Sequence, residues 1–245
     1  MNKIYSATHI RSFLLSLVML QLLNHDIQAQ TTKQHVTVIG AMRHVMWEGR
    51  LAGTIHLDTL TPKSGLYGLG PIAYLTGEIM IVEGRSYAST VVSDTEMKVV
   101  ETFDIKAPFF GYANISSWIE YPVPDDVQTL EQLEGYIDGL TRERSGPFIF
   151  KMEGVVDHAL IHVMNLPPGT LVESPADAHK YQVTYTLTEK EVDIVGFFST
   201  EHQTIFTHHD TWLHLHLITN DRKQMGHLDE LVIRRGAMKL YLPGE

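Results

Sequence analysis

Short β-prone runs hinged at acid-glycine pairs recur along this chain, and they restrict its fold more than any other feature of the sequence. Residues 73–88 hold two such runs on either side of Glu83-Gly84, the pattern of a hairpin. Residues 147–152 predict another strand, turning at Glu153-Gly154 into 155–164, and 181–188, 192–199, 213–218 and 231–242 alternate or run apolar as strands do. Residues 36–46 begin strand-like and pass into a short helical stretch. Turn formers fill 57–70, where Gly68-Leu69-Gly70 reads as a turn. One amphipathic helix is predicted over 129–140, with Leu130, Leu133, Tyr136, Ile137 and Leu140 at helical spacing and Asp125 and Asp126 near its start. The expected fold class is a β-rich mixed α/β protein with few helices. Pro167-Pro168-Gly169 is the expected boundary between an N-terminal half, 31–166, and a C-terminal half, 167–245.

The first 30 residues read differently. Lys3 and Arg11 precede the apolar run from Phe13 to Leu23, and Ile27-Gln28-Ala29-Gln30 follows, which together predict a secretory signal peptide. The run is too short to span a bilayer, and no other segment approaches a span. Periplasmic or secreted localisation follows as an expectation. The chain has no cysteine, so in an oxidising compartment it must hold together by its core alone. Its net charge of −10 argues against a nucleic-acid or anionic-membrane partner.

Chemistry concentrates near the C-terminus. Of 14 histidines, His208, His209, His214 and His216 fall within twelve residues, followed by His227. In Leu213-His214-Leu215-His216-Leu217 the two imidazoles share one face of a strand, about 6.6 Å apart along it. They can reach one ion, and the polar stretch 220–226 can turn the chain back to bring His227 to the same place. Three neutral imidazoles around Zn²⁺ leave a position for water or substrate, the catalytic pattern. The competing reading is a pair of solvent-facing or hydrogen-bonded core histidines, which spacing alone leaves open. His208 and His209 read as loop residues. The glutamate that a cupin places four or five residues after its His-x-His is absent here, as are Gly-x-Ser-x-Gly, P-loop and dinucleotide-binding glycine motifs.

Taken in order, several segments resemble one family. Gly68-Leu69-Gly70, Leu75 to Met80, Ala107-Pro108-Phe109-Phe110, Val195-Gly196-Phe197, Leu213 to Leu217, Asn220 to Lys223 and Gly226-His227 are similar to α-acetolactate decarboxylase over most of 36–243. The resemblance implies a two-part β-rich α/β fold with Zn²⁺ in a cleft between the parts, usually as a homodimer. It implies that His214, His216 and His227 are the metal ligands and that Glu78 is the acidic residue beside the metal. It also implies that Lys151, in Phe148 to Gly154, stands where the family carries an arginine. A lysine keeps the charge but loses the planar fork. The family's longer C-terminal tail supplies a second acidic residue, for which Glu245 is the one substitute here. Without the resemblance, Glu78 reads as an exposed hairpin carboxylate and Lys151 as a surface lysine lying along apolar neighbours.

The reaction so implied is decarboxylation of 2-acetolactate, a 2-hydroxy-3-keto acid, to acetoin and CO₂. Zinc would hold the enediolate charge, Lys151 the carboxylate, and Glu78, directly or through water, the proton. The alternative is a secreted metal-binding relative with another substrate or without turnover.

Overall fold

The computed structural model describes residues 35–207 and 210–244; the expected leader, His208, His209 and Glu245 lie outside them. The strands are β1 (Thr37–Ile39), β2 (Ile55–His56), β3 (Leu66–Pro71), β4 (Glu78–Val82), β5 (Arg85–Ser93), β6 (Glu96–Glu101), β7 (Lys106–Ala107), β8 (Phe110–Asn114), β9 (Trp118–Pro122), β10 (Phe148–Val163), β11 (Val183–Phe198), β12 (Leu213–Thr219) and β13 (Met225–Pro243). Six of them form one sheet in the order β1-β8-β3-β4-β5-β6, and five form a second in the order β10-β11-β12-β13-β9. β10 also pairs with β13, which returns the second sheet on itself. A two-stranded ribbon, β2 with β7, completes the strands. Helices among the described residues are few, and none is long and apolar enough to cross a membrane. The β-rich mixed class is thus observed, built on two sheets.

Strand periodicity explains how the sheets meet. Along β4, Ile79 and Ile81 enter a core with Leu57, Leu66 and Phe110, whereas Met80 and Val82 enter one shared with the second sheet. Along β12, Leu213, Leu215 and Leu217 fill the second sheet's own core, and Ile218 faces the shared one. The shared core draws Tyr67, Leu69 and Met80 from the first sheet and Ile149, Val195 and Phe197 from the second. Approach is close at Gly111, where a Cβ would lie 2.6 Å from the Phe197 ring. The helix Leu130–Thr141 carries a capping box between Thr129 and Gln132 and buries Leu133 and Ile137 against the second sheet's core.

Three expectations are corrected. Gly68-Leu69-Gly70 is not a turn but the middle of β3; side chains at Gly68 and Gly70 would strike Phe110, so the glycines admit that ring into the strand's neighbourhood. Glu153-Gly154 does not reverse the chain, because β10 runs straight through it. The pair sits instead at a register shift where a Cβ on Gly154 would lie 2.0 Å from the Ala237 carbonyl of β13. The Pro167–Gly169 break lies between β10 and β11, inside the second sheet's run of chain, and the passage from one sheet to the other falls between β8 and β9. Glu83-Gly84 does form the expected two-residue hairpin turn, with both residues at positive φ.

Candidate metal centre

The period-2 rule that buries the leucines of β12 turns His214 and His216 to the opposite face, toward the first sheet. The segment Thr219–Gln224 reverses the chain, with the Thr219 N–H donating to the Gln224 carbonyl at 2.9 Å and Thr219 Oγ1 donating to Asp221 at 2.7 Å. β13 therefore returns alongside β12 in a register that sets His227 directly opposite His216. The ring centroids of the three histidines lie 5.1–5.5 Å apart, and one nitrogen from each falls within 4.8 Å of the others. All three are buried. The Phe206 carbonyl accepts a hydrogen bond from His214 Nδ1 at 2.7 Å, which assigns the hydrogen to Nδ1 and presents Nε2 to the group. Three buried imidazole nitrogens, one of them oriented from behind, fit a tetrahedral ion with one position open.

Glu78 enters from the first sheet. It begins β4 on the face of Met80 and Val82, and its Oε2 lies 3.6 Å from His216 Nε2. Oε1 accepts from the Met164 N–H at 3.3 Å. The side chain is 4% exposed rather than the solvated hairpin carboxylate of the alternative reading. Burial holds its carboxyl well above the usual carboxylate range; the Met164 N–H opposes this, and repulsion from Asp229 adds to it. A cation beside it would oppose that effect of burial and draw the group back toward the range in which it can both hold and release a proton.

Lys151 is not in this cleft. It points toward the first sheet but near the far end of β10, eleven residues and roughly 36 Å of strand from His162, where β10 reaches the cleft. Its ammonium is bound by Glu153 at 2.5 Å and Glu83 at 3.5 Å and lies over the Tyr241 and Trp118 rings. The expected role as carboxylate holder is corrected on this geometry.

The residue that β10 does bring to the cleft is His162, which the sequence reading did not single out. Its ring lies 4.7 Å from that of His227, its partner across β10 and β13, and both oxygens of Asp229 stand 2.8 Å from its Nδ1. Met42, Met46, Trp47, Phe109 and Met164 form the apolar wall, and His179 packs edge-on against His162. One clue was available: His162 is a polar ring set between Leu160-Ile161 and Val163-Met164, where burial requires a partner for it.

Fold and site together define a two-sheet β-rich protein with a buried three-histidine, one-glutamate cleft suited to a divalent metal. The family model described as alpha-acetolactate decarboxylase matches residues 38–242, and the chain belongs to that family. The alpha-acetolactate decarboxylase of Streptococcus thermophilus is 27% identical over 199 residues, covering 78% of each chain. That of Lactococcus lactis subsp. lactis is 24% identical over 208 residues, 82% of this chain and 80% of the relative. The crystal structure of the Bacillus subtilis strain 168 enzyme superposes with a TM-score of 0.71 at 20% identity, over 86% of each chain. A Staphylococcus aureus protein of unknown function similar to alpha-acetolactate decarboxylase gives 0.72 at 18%, with the same coverage.

Proposed function

We propose that this protein is a zinc-dependent decarboxylase that converts 2-acetolactate to acetoin and CO₂. The observation that carries the reading is the convergence of His214, His216 and His227 with the buried Glu78 in one cleft, in a chain of this family. Bound by the three imidazoles, zinc would supply Lewis-acid polarisation of the substrate's hydroxyl and keto oxygens, a contribution of several kcal/mol. The apolar wall of Met42, Phe109 and Met164 excludes water, which favours loss of a charged carboxylate as neutral CO₂ and strengthens the polar contacts that remain. Cleavage of the C–C bond leaves its electron pair on the keto-acid skeleton as an enediolate. Glu78, anchored through Oε1 by Met164, holds a proton at Oε2 and delivers it to the carbon that has lost CO₂, giving acetoin.

Turnover of racemic acetolactate by the zinc-loaded protein tests this: acetoin forms, and a chelator stops its formation. Protein that carries stoichiometric zinc yet yields no acetoin favours the relative with a different substrate. Export from the cytoplasm is part of the proposal, supported by the charged start and apolar run of residues 1–30, and homodimer formation is supported by family membership.

A further inference from the structure

His216, His227 and His162 form a row across three neighbouring strands, β12, β13 and β10, yet only the first two join His214 in the ligand group. His162 is held differently from them. A carboxylate accepts hydrogen bonds, so the two 2.8 Å contacts from Asp229 assign the ring hydrogen to Nδ1. His162 is buried and lines the cleft, and with Nδ1 so occupied its Nε2 is left as a fixed lone pair for whatever the cleft holds. His179 packs edge-on against the ring at 5.6 Å, with its own Nδ1 bonded to Gln182 Oε1 at 2.6 Å, so the His162 ring is confined on a second side. The pair has the form of a carboxylate-oriented histidine, in which the carboxylate sets tautomer and direction and the other nitrogen does the work.

We propose that His162 accepts the hydrogen bond of the substrate's hydroxyl through Nε2, with Asp229 as the positioning residue that fixes its ring. This rests on the decarboxylase reading for the identity of the substrate, but its core is the recognition of a hydroxyl beside the metal centre. The hydroxyl is the one hydrogen-bond donor of a 2-hydroxy-3-keto acid whose carboxylate is ionised. An acceptor lone pair held beside the ion therefore distinguishes it from the keto group. His162 takes the cleft position that the sequence reading gave to Lys151, with a different chemical task.

The test compares acetoin with butane-2,3-dione, which has the same skeleton but a keto group in place of the hydroxyl. Binding of each to zinc-loaded wild type, His162→Asn, His162→Gln and Asp229→Asn is measured by calorimetry, beside zinc content and steady-state kinetics. His162→Asn keeps an amide near Nδ1 for Asp229 but loses the reach of Nε2; its preference for acetoin over the dione falls about tenfold, the scale of one lost hydrogen bond. His162→Gln restores an acceptor near Nε2 and recovers part of the preference. Asp229→Asn offers an amide that favours the other tautomer, and the preference falls again, with the ring nitrogen NMR shifts moving from Nδ1–H toward Nε2–H. A merely structural role would lower stability in these variants without changing the ratio of the two affinities. An unchanged ratio in His162→Asn overturns the proposal, and so does loss of zinc from that variant, which would place His162 in the metal site. Should His162→Asn fail to fold, an unchanged ratio in Asp229→Asn overturns it. A wild type that shows the hydroxyl preference without turning over acetolactate defeats the decarboxylase reading and leaves this one standing.

Discussion

Glu78 is a residue at which function and stability oppose each other. Burial, set against the Met164 N–H and joined by repulsion from Asp229, holds its carboxyl above the ordinary value of 4.5. The folded, metal-free protein therefore binds this proton more tightly than the unfolded chain does, and its stability falls as pH rises above that ordinary value. Glu78→Gln retains an acceptor for Met164 and removes the charge. In metal-free protein at pH 7 the variant is expected to be more stable by about 1–3 kcal/mol, with the gain shrinking toward pH 4, as read by denaturant unfolding at both values. The zinc-loaded variant should lose about 10²-fold or more in kcat/KM on acetolactate, because the proton donor is gone. Superimposed unfolding curves for the two proteins at pH 7 would count against the charge penalty.

At the level of elements, the β12–β13 hairpin is the unit that makes the metal centre, since it alone supplies all three imidazoles. Wild type should carry close to one zinc per chain. His216→Ala removes the central ligand, buried and opposite His227, and stoichiometric zinc in that variant would refute the three-ligand assignment. Zinc should also leave as pH is lowered toward 4, because each ligand must be neutral to bind and an ordinary histidine titrates at about 6.5. This hairpin was legible in the sequence because period 2 and a polar turn are local: leucines to one face, histidines to the other, chain reversed within a few residues. Glu78 was legible only as one step in an ordered set of motifs, since its burial depends on the second sheet. Lys151 and His162 were not separable, because their difference lies in where one 16-residue strand meets its neighbours. An acid-glycine pair read as a turn hid the continuity of that strand. The shifts that align His162 with His227 combine an extra residue on β10, at Asp157, with extra residues on β13, remote in sequence.

Across the whole molecule, the two sheets are joined by a shared apolar core and by polar contacts, among them those of Lys151 at one edge. Its ammonium bridges Glu153 beside it on β10 to Glu83 in the turn between β4 and β5, under the Tyr241 and Trp118 rings. Burial alone would lower its pKa, but Glu153, Tyr67 and Glu83 outweigh that and hold it above the ordinary 10.5. For a cation raised in this way, the folded state binds the proton more tightly than the unfolded chain. The stabilisation is therefore fully present below pH 10.5 and is lost as pH rises through the folded value. Lys151→Met keeps much of the stem's packing while removing the charge, and the freed carboxylates are partly solvated, Glu83 more than Glu153. The expected cost is about 1–2 kcal/mol near pH 8, visible as a lowered denaturation midpoint, and the gap from wild type narrows as pH is taken above 10.5. Zinc content and kcat/KM should remain within about twofold of wild type, since the lysine lies roughly 36 Å of strand from the cleft. A variant with wild-type stability but a kcat/KM lowered 10²-fold would return Lys151 to the reacting site and show that the two sheets are held without it.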